Sequence, residues 1–109
     1  MKKVATPAVR ELLKALPRAE AHDTGKLLFY AIERAATPWD LVQISSHKEL
    51  LCHWRILPEF TRRVREMALR FNGYQEFLLR QRLGFNVVAD VRRTTRASKA
   101  VDIGLSKAA

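Results

Sequence analysis

The chain of 109 residues has one cysteine, four glycines and no long apolar run, and each shortage excludes a class of protein. A single cysteine, Cys52, excludes an internal disulfide framework, and a structural zinc site would have to rely on the three histidines. The glycines stand singly, so no glycine-rich phosphate loop is present. No segment approaches the roughly 18 apolar residues that cross a bilayer. We therefore predict a soluble protein with no membrane span, no metal and no cofactor.

Acidic residues are also scarce, because eleven Asp and Glu face twenty Lys and Arg, which gives a net charge of +9. No paired carboxylates and no Ser-His-Asp spacing indicate a reaction. His47, Cys52 and His53 are close in sequence, but on a helix Cys52 and His53 point about 100° apart. We therefore predict that the chain is not an enzyme and has no catalytic residue, and we interpret Cys52 as a small buried residue beside Leu51.

Helical periodicity is what the sequence does contain. Apolar residues make up 48% and charged residues 28%, which is close to globular averages and predicts a folded chain. Thr6-Pro7 and Thr37-Pro38 each combine an N-cap with a proline in the first turn. We predict an all-α fold, a small bundle of about five helices that forms a single domain over residues 1–91.

Three further signals predict helix boundaries within this domain. Asp23 or Thr24 can cap a second helix, whose apolar residues follow at three- and four-residue steps. Ser46 with Glu49 three residues on has the spacing of a capping box, which predicts that a helix starts there. Pro58 is expected to end or kink that helix.

A regular apolar seam follows, with members separated by four, three, four, three and four residues: Phe60, Val64, Met67, Phe71, Tyr74 and Leu78. This heptad-like pattern predicts a long amphipathic helix or a bent pair over residues 59–83, with Gly84 as a left-handed cap. Asn72-Gly73, in the middle, fits a helix end instead. Residues 85–91 fit either a short strand or another helical turn.

Arginine is distributed unevenly along the chain. Ten of the thirteen arginines follow Trp54, so the residues up to Trp54 have a net charge of +2 and the remainder +7. Guanidinium forms paired hydrogen bonds with phosphate and carboxylate and stacks on rings, so this skew indicates a contact surface. On the predicted long helix, Arg62, Arg65 and Arg80 lie opposite the seam, so they face outward.

The residues after the predicted bundle are basic as well. Residues 92–109 are expected to form a basic, partly flexible C-terminal arm that neutralises phosphates. Together the long helix and the arm offer seven arginines as predicted phosphate contacts: Arg62, Arg63, Arg65, Arg70, Arg92, Arg93 and Arg96.

Two functional hypotheses of different classes follow. The first is a small basic helical nucleic-acid-binding subunit of a larger assembly such as a ribonucleoprotein, with RNA favoured over DNA. The alternative is a non-catalytic accessory, assembly or inhibitor protein that binds an acidic protein surface or a partner helix. The aromatic residues are expected in the core, with Tyr74 as the exception, because the helix surface can open beside Gly73.

A cytoplasmic location is predicted for this chain. Residues 1–18 are basic and can form an amphipathic helix, which is also typical of organellar presequences, although they contain no serine. A mitochondrial matrix location is therefore the alternative.

Overall fold

Helices form all the regular structure of residues 5–93, the part of the chain that this computed structural model describes, and no strand occurs among them. Two 3₁₀ turns, Leu16–Arg18 and Ala68–Arg70, extend the first and fifth helices. The all-α prediction is confirmed, with more and shorter helices than predicted. The helices are α1 (Pro7–Ala15), α2 (Ala21–Arg34), α3 (Pro38–Ser45), α4 (Lys48–His53), α5 (Leu57–Met67), α6 (Gly73–Leu83) and α7 (87–93).

A buried carboxylate, Asp40, joins the beginnings of α1 and α3. It accepts hydrogen bonds from the hydroxyl and the N–H of Thr6 and from the N–H groups of Ala36 and Thr37, at 2.5 to 3.0 Å. Burial works to raise the pKa of Asp40, but these hydrogen bonds favour the charged form and hold the pKa below its ordinary value. Thr6 and Thr37 are the N-caps of α1 and α3, as predicted.

Helix α2 begins one turn earlier than predicted. Its N-cap is Glu20, so the prediction of Asp23 or Thr24 as the cap is wrong. The Thr24 hydroxyl donates to the carbonyl of Ala21 and accepts from the indole N–H of Trp54 at 2.9 Å. Because this hydroxyl joins α2 to the chain just after α4, its local capping signal was misleading.

The boundaries of α4 and α5 also differ from the prediction. The Ser46 hydroxyl donates to the carbonyl of Gln43 at 2.8 Å, and α4 starts after His47 without a side-chain cap, so the capping box with Glu49 is absent. Pro58 lies in the first turn of α5, where it begins a helix and does not end one. Proline is tolerated there because the first N–H groups of a helix have no partner within it.

The core is built where α2, α3 and α5 meet, with α1 packed along α2 and α6 along α3. Every described helix contributes to it. The largest fully buried side chains are Val9, Leu28, Ile32, Leu41, Val42, Ile44, Leu51, Phe60, Val64, Leu79, Leu83 and Val88.

The heptad-like seam stops at Phe71. Its members up to Phe71 are buried, but Tyr74 is half exposed. Asn72 caps α6 through a capping box with Gln75, in which each side chain accepts from the other residue's N–H. Helix α6 therefore starts in a new phase and buries Leu79, so the prediction of a bent pair is confirmed and that of one continuous helix is wrong.

The end of α6 follows the prediction more closely. Gly84 has a φ of 84° and forms the left-handed cap. A residue with a side chain would be strained there, whereas glycine is not. Of the two structures that fit residues 85–91, the helical one is present, since residues 87–93 are helical.

Candidate nucleic-acid interface

Charge is divided unequally between two parts of the described chain. Residues 5–54 balance six cations with six carboxylates, whereas residues 55–93 contain nine arginines and four carboxylates, a net charge of +5. Each of the four carboxylates forms an ion pair with an arginine: Glu59, Glu66, Glu76 and Asp90. The remaining guanidinium groups of this part have no local acidic partner.

Arg63 is a cap for the end of α2. Its guanidinium donates to the carbonyls of Ile32 and Ala35 and lies 3.1 Å from a carboxylate oxygen of Glu66, and its side chain is only 19% exposed. The last carbonyls of a helix lack partners within it and carry partial negative charge, which a cation stabilises. Arg63 therefore holds α5 to α2, and its guanidinium is already engaged by carbonyls and a carboxylate.

Arg92 has a similar structural contact at the break between α5 and α6. It lies 2.9 Å from a carboxylate oxygen of Glu76 and donates to the carbonyl of Phe71. The predicted flexible arm included Arg92 and Arg93, but the structure places both in α7. The rest of that arm, including Arg96, lies outside the described residues.

Arg62 and Arg93 are paired at the surface. The Nε of Arg62 lies 3.3 Å from Glu59 and another guanidinium nitrogen contacts Glu66, while Arg93 lies 2.7 Å from Asp90. Exposed pairs of this kind contribute about 0 to 1 kcal/mol each. They reduce the local positive charge without fixing the fold.

Four exposed arginines of residues 55–93 have no side-chain hydrogen bond or ion pair within the described part of the chain: Arg55, Arg65, Arg70 and Arg80. Of the six predicted contacts that lie within residues 5–93, Arg65 and Arg70 are the two that are exposed without a side-chain partner. Arg80 was placed on the outer side of the long helix but was left out of the predicted contacts.

The outward face of α6 is aromatic. Because Leu79 and Leu83 point into the core, the opposite side of the helix presents Tyr74, Phe77 and Gln81 at three- and four-residue spacing. Tyr74 is 52% and Phe77 is 49% exposed. Exposed apolar patches on a small protein indicate a binding surface.

Exposed basic and apolar residues also stand before and after these rings in the sequence. Leu69, which is 67% exposed, and Arg70 belong to the 3₁₀ turn before the break at Asn72, and Arg80 follows Phe77 by one turn of α6. Glu76, the only acid from 69 to 80, is engaged by Arg92 and by the amide of Asn86. The set forms what we call the aromatic-arginine surface: Leu69, Arg70, Tyr74, Phe77 and Arg80.

Sequence reasoning anticipated only part of this surface. It identified Tyr74 as the aromatic residue at which the helix surface opens, and Arg70 as a contact. It missed Phe77, because Phe77 lies off the seam. The capping-box spacing of Asn72 and Gln75 was the signal that could have revealed the change of phase.

A second aromatic groove lies between α2 and the segment after α4. Its volume is about 400 Å³, and the ring of Trp54 packs so closely on Gly25 that a Cβ there would lie 2.8 Å from the ring. Arg55 beside it has a φ of 57°, which is unusual for a residue with a side chain. The groove is lined by His22, Gly25, Lys26, Phe29, Tyr30, Trp54 and Ile56.

Cys52 and the histidines do not form a reactive cluster. Cys52 is exposed, so its interpretation as a buried residue is wrong; Leu51 takes the buried position. Burial lowers the pKa of His47, which leaves its imidazole largely neutral near pH 7. Within residues 5–93, no three His, Cys, Asp or Glu side chains are arranged to share a metal ion.

These features define a small basic all-α protein with an exposed aromatic-arginine surface. Of the helices described, none is long and apolar enough to cross a membrane. No protein-family model, no curated protein and no solved structure matches the chain. Function therefore has to be argued from the chemistry of the surface itself.

Proposed function

We propose that this chain is a non-catalytic nucleic-acid-binding subunit of a larger assembly, and that it contacts phosphates through Arg65, Arg70 and Arg80. The observation that carries the proposal is the exposure of these guanidinium groups in a segment whose carboxylates are all engaged by other arginines. A phosphate that approaches them meets no competing local anion. It also meets a planar donor group that can bind two of its oxygens at once.

The preference for RNA over duplex DNA comes from the aromatic rings. Duplex binding depends on phosphate contacts and on side chains that reach base edges in a groove. The outward face of α6 offers the half-exposed ring of Phe77 instead, and aromatic rings favour exposed, unpaired bases. Single-stranded segments are the usual targets of RNA-binding proteins.

A second candidate function is that of an accessory protein that binds an acidic protein surface. Leu69 favours it, because an aliphatic side chain that is 67% exposed cannot stack on a base as an aromatic ring does. Both candidates use the same surface. They differ in the partner: the first candidate binds a nucleic acid alone, whereas the second needs the side chains of an acidic protein.

The test is a titration of the protein with an unstructured single-stranded RNA and with a duplex DNA of equal length, at several salt concentrations. Three phosphate contacts predict a log-log slope of about −2 for a single strand. The variant Arg70→Ala/Arg80→Ala should bind about tenfold more weakly and lower the magnitude of the slope to less than about 1.

The matched control is Arg10→Ala/Arg18→Ala, which removes two exposed arginines from the part of the chain where charges balance. It should leave affinity and slope nearly unchanged. If both double variants weaken binding equally, net charge and not this surface is responsible. If RNA and DNA fail to bind even at low salt, the acidic-protein candidate takes the place of this proposal.

A further inference from the structure

The groove between α2 and the segment after α4, which we call the α2 groove, shares no residue with the aromatic-arginine surface. Trp54 and Ile56 form one of its sides, and its volume of about 400 Å³ lies within the usual range of binding sites. The other side is a single face of α2, whose lining residues recur at three- and four-residue steps: His22, Gly25, Lys26, Phe29 and Tyr30.

The Trp54 side of the α2 groove is already fixed by contacts within the chain. The indole N–H of Trp54 donates to the hydroxyl of Thr24 at 2.9 Å, and the imidazole of His53 stands nearly perpendicular to the indole with 4.9 Å between the ring centres. The indole also packs on Gly25, where a Cβ would lie 2.8 Å from it. A site that is formed before its ligand arrives binds at a lower entropic cost.

The interior of the α2 groove is apolar and incompletely covered. Tyr30 is 44% exposed, and Phe29, Trp54 and Ile56 are only partly buried. A bulky apolar side chain that enters the groove would remove part of all four residues from water, which is favourable. Tyrosine and tryptophan are also the residues that most often dominate the binding energy of a protein interface.

Two cations stand beside this apolar interior. Lys26 lines the groove and is exposed, with no side-chain hydrogen bond or ion pair among the described residues. The guanidinium of Arg34 lies 5.2 Å from the centre of the Tyr30 ring and donates to the Tyr30 carbonyl at 3.5 Å, so most of its N–H groups remain available. Lys26 and Arg34 are about 12 Å apart along α2, a distance that about four residues of extended chain span.

The carboxylates near the α2 groove lie toward its other end. Glu20 and Asp23 are each 3.6 Å from His22. Within the described part of the chain, no carboxylate lines the groove, and Glu33 of α2 is exposed outside it. A negatively charged ligand is therefore favoured beside the two cations and disfavoured at the His22 end.

We propose that the α2 groove binds a short acidic segment of a partner protein, with a bulky apolar side chain inserted beside Trp54 and with carboxylates held by Lys26 and Arg34. The groove supplies a protein contact of the kind that a subunit of a larger assembly needs. It does so away from the proposed phosphate contacts, so the two proposals stand on different residues.

A nucleic acid fits the α2 groove less well than an acidic peptide does. The rings of Trp54 and Tyr30 already contact Gly25, His53 and Arg34, so they are poorly placed to stack on bases. A nucleic-acid strand also has no apolar side chain that could fill the space between the two sides. A peptide offers both the apolar group and the carboxylates.

The experiment titrates the isotopically labelled full chain with capped tetrapeptides that carry aspartate at both ends and two residues chosen from phenylalanine, leucine and isoleucine between them. The same peptides with asparagine in place of aspartate are the matched ligands. The readout is the indole N–H signal of Trp54 in NMR spectra. The indole of Trp39, whose nitrogen is buried and which does not line the groove, is the internal reference.

The acidic peptides should move the Trp54 signal and leave that of Trp39 in place. We expect the best of them to bind with a Kd of about 1 mM or lower, which is typical of a contact this small. Two exposed charge pairs should make each acidic peptide bind about threefold to tenfold more tightly than its asparagine counterpart.

Matched variants separate the α2 groove from the rest of the surface. Lys26→Met removes one charge and keeps an apolar stem, so it should weaken the acidic peptides about threefold, whereas Lys14→Met, the same change at an exposed lysine of α1, should not. Tyr30→Ser removes apolar surface from the groove and should weaken them about fivefold or more. Phe85→Ser, at a residue that is 43% exposed, should leave the Kd unchanged.

The outcomes distinguish this inference from the proposed function. If no acidic peptide moves the Trp54 signal at about 5 mM, or if the asparagine peptides bind equally well, the inference is overturned. It is also overturned if a single-stranded RNA moves that signal and the peptides do not. These comparisons use the wild type alone, so they remain decisive even if a variant unfolds. If peptides bind at Trp54 but RNA does not bind at low salt, the inference stands and the proposed function fails.

Discussion

Charged groups between the helices and those on the outward surface of α5 and α6 behave differently, although both sets are dominated by arginine. Arg63 and Arg92 are held against backbone carbonyls and carboxylates, and their side chains are 19% and 33% exposed. Arg65, Arg70 and Arg80 are exposed and have no such contact among the described residues. Arginine composition alone therefore overstates the area available to a ligand.

The cations of the inner set donate hydrogen bonds to carbonyls near the ends of helical segments that are distant in sequence. Arg63 binds the end of α2, Arg82 donates to the carbonyl of Val42 in α3, and Lys48 donates to that of Leu83 at 2.9 Å. Each contact spans 28 to 40 residues of sequence. The carbonyls near a helix C-terminus attract cations, so these contacts link one helix to another.

Among the substitutions that test this comparison, the largest loss of stability is expected at Asp40, the buried anion of the inner set. Asp40→Ala removes the acceptor for the N–H groups of Thr6, Ala36 and Thr37, and we expect it to lower the free energy of unfolding by about 3 kcal/mol. Glu33→Ala, an exposed acid on α2, is the control and should change it by less than about 0.5 kcal/mol. Urea denaturation measures both. Equal effects would remove the distinction between inner and outer charges.

Arg63 and Arg65 offer the most direct test, because they are neighbours on the same helix. Arg63→Ala leaves the carbonyls of Ile32 and Ala35 without their charged donor and should cost about 2 kcal/mol of stability. Arg65→Ala should cost less than about 0.5 kcal/mol. The measurement is the urea midpoint of each variant at constant m. A destabilised Arg65→Ala would mean that the outward surface is part of the fold.

Acid should weaken the inner set selectively. Because the folded pKa of Asp40 lies below its unfolded value, its stabilising contribution is fully present above the unfolded pKa and is lost as pH falls through the folded pKa. Below about pH 4, the wild type should therefore lose stability more steeply than Asp40→Asn, which cannot titrate at this position. Unfolding free energies measured from pH 6 to pH 2 check this. Parallel curves for the two proteins would contradict it.

A smaller loss than at Asp40 or Arg63 is expected at Arg62, which is exposed like the outer arginines but is paired with carboxylates. Its pairs with Glu59 and Glu66 are exposed, so Arg62→Ala should lower the free energy of unfolding by less than about 1 kcal/mol. Thermal unfolding in low salt and in 1 M salt separates this term, because screening removes it from the wild type. A loss that persists in high salt would place Arg62 with the inner charges.

The sequence predicted what depends on neighbouring residues. Thr37 caps α3 and Gly84 ends α6, because these signals act over three or four residues. Thr6 is the N-cap of α1 as predicted, but its hydroxyl donates to Asp40, 34 residues away. Thr24 and Ser46 failed as caps for different reasons. Thr24 is used by Trp54, 30 residues away, and Ser46 bonds back to the preceding helix.

The candidate site was less predictable for the same physical reason. Nothing in the local sequence distinguishes Arg63, whose contacts lie about 30 residues away, from Arg65, which has none among the described residues. The exposure of Phe77 was not predicted, because the heptad-like seam continues through Asn72 in the sequence. Its exposure depends on the phase in which α6 starts, which a count of seven-residue repeats does not report.

The capping box of Asn72 and Gln75 sets the residue at which α6 begins. These two amide side chains therefore determine which face of α6 is buried. If α5 continued into α6 without a break, the seam would run on from Phe71 to Tyr74, and other side chains of α6 would face the solvent. Substitutions at Asn72 or Gln75 are therefore expected to change two things together, the side chains that α6 exposes and the side chains, Leu79 and Leu83, that it buries. The packing of Leu79 and Leu83 thus keeps the exposed face of α6 in place, because any other face could be presented only at the expense of the core.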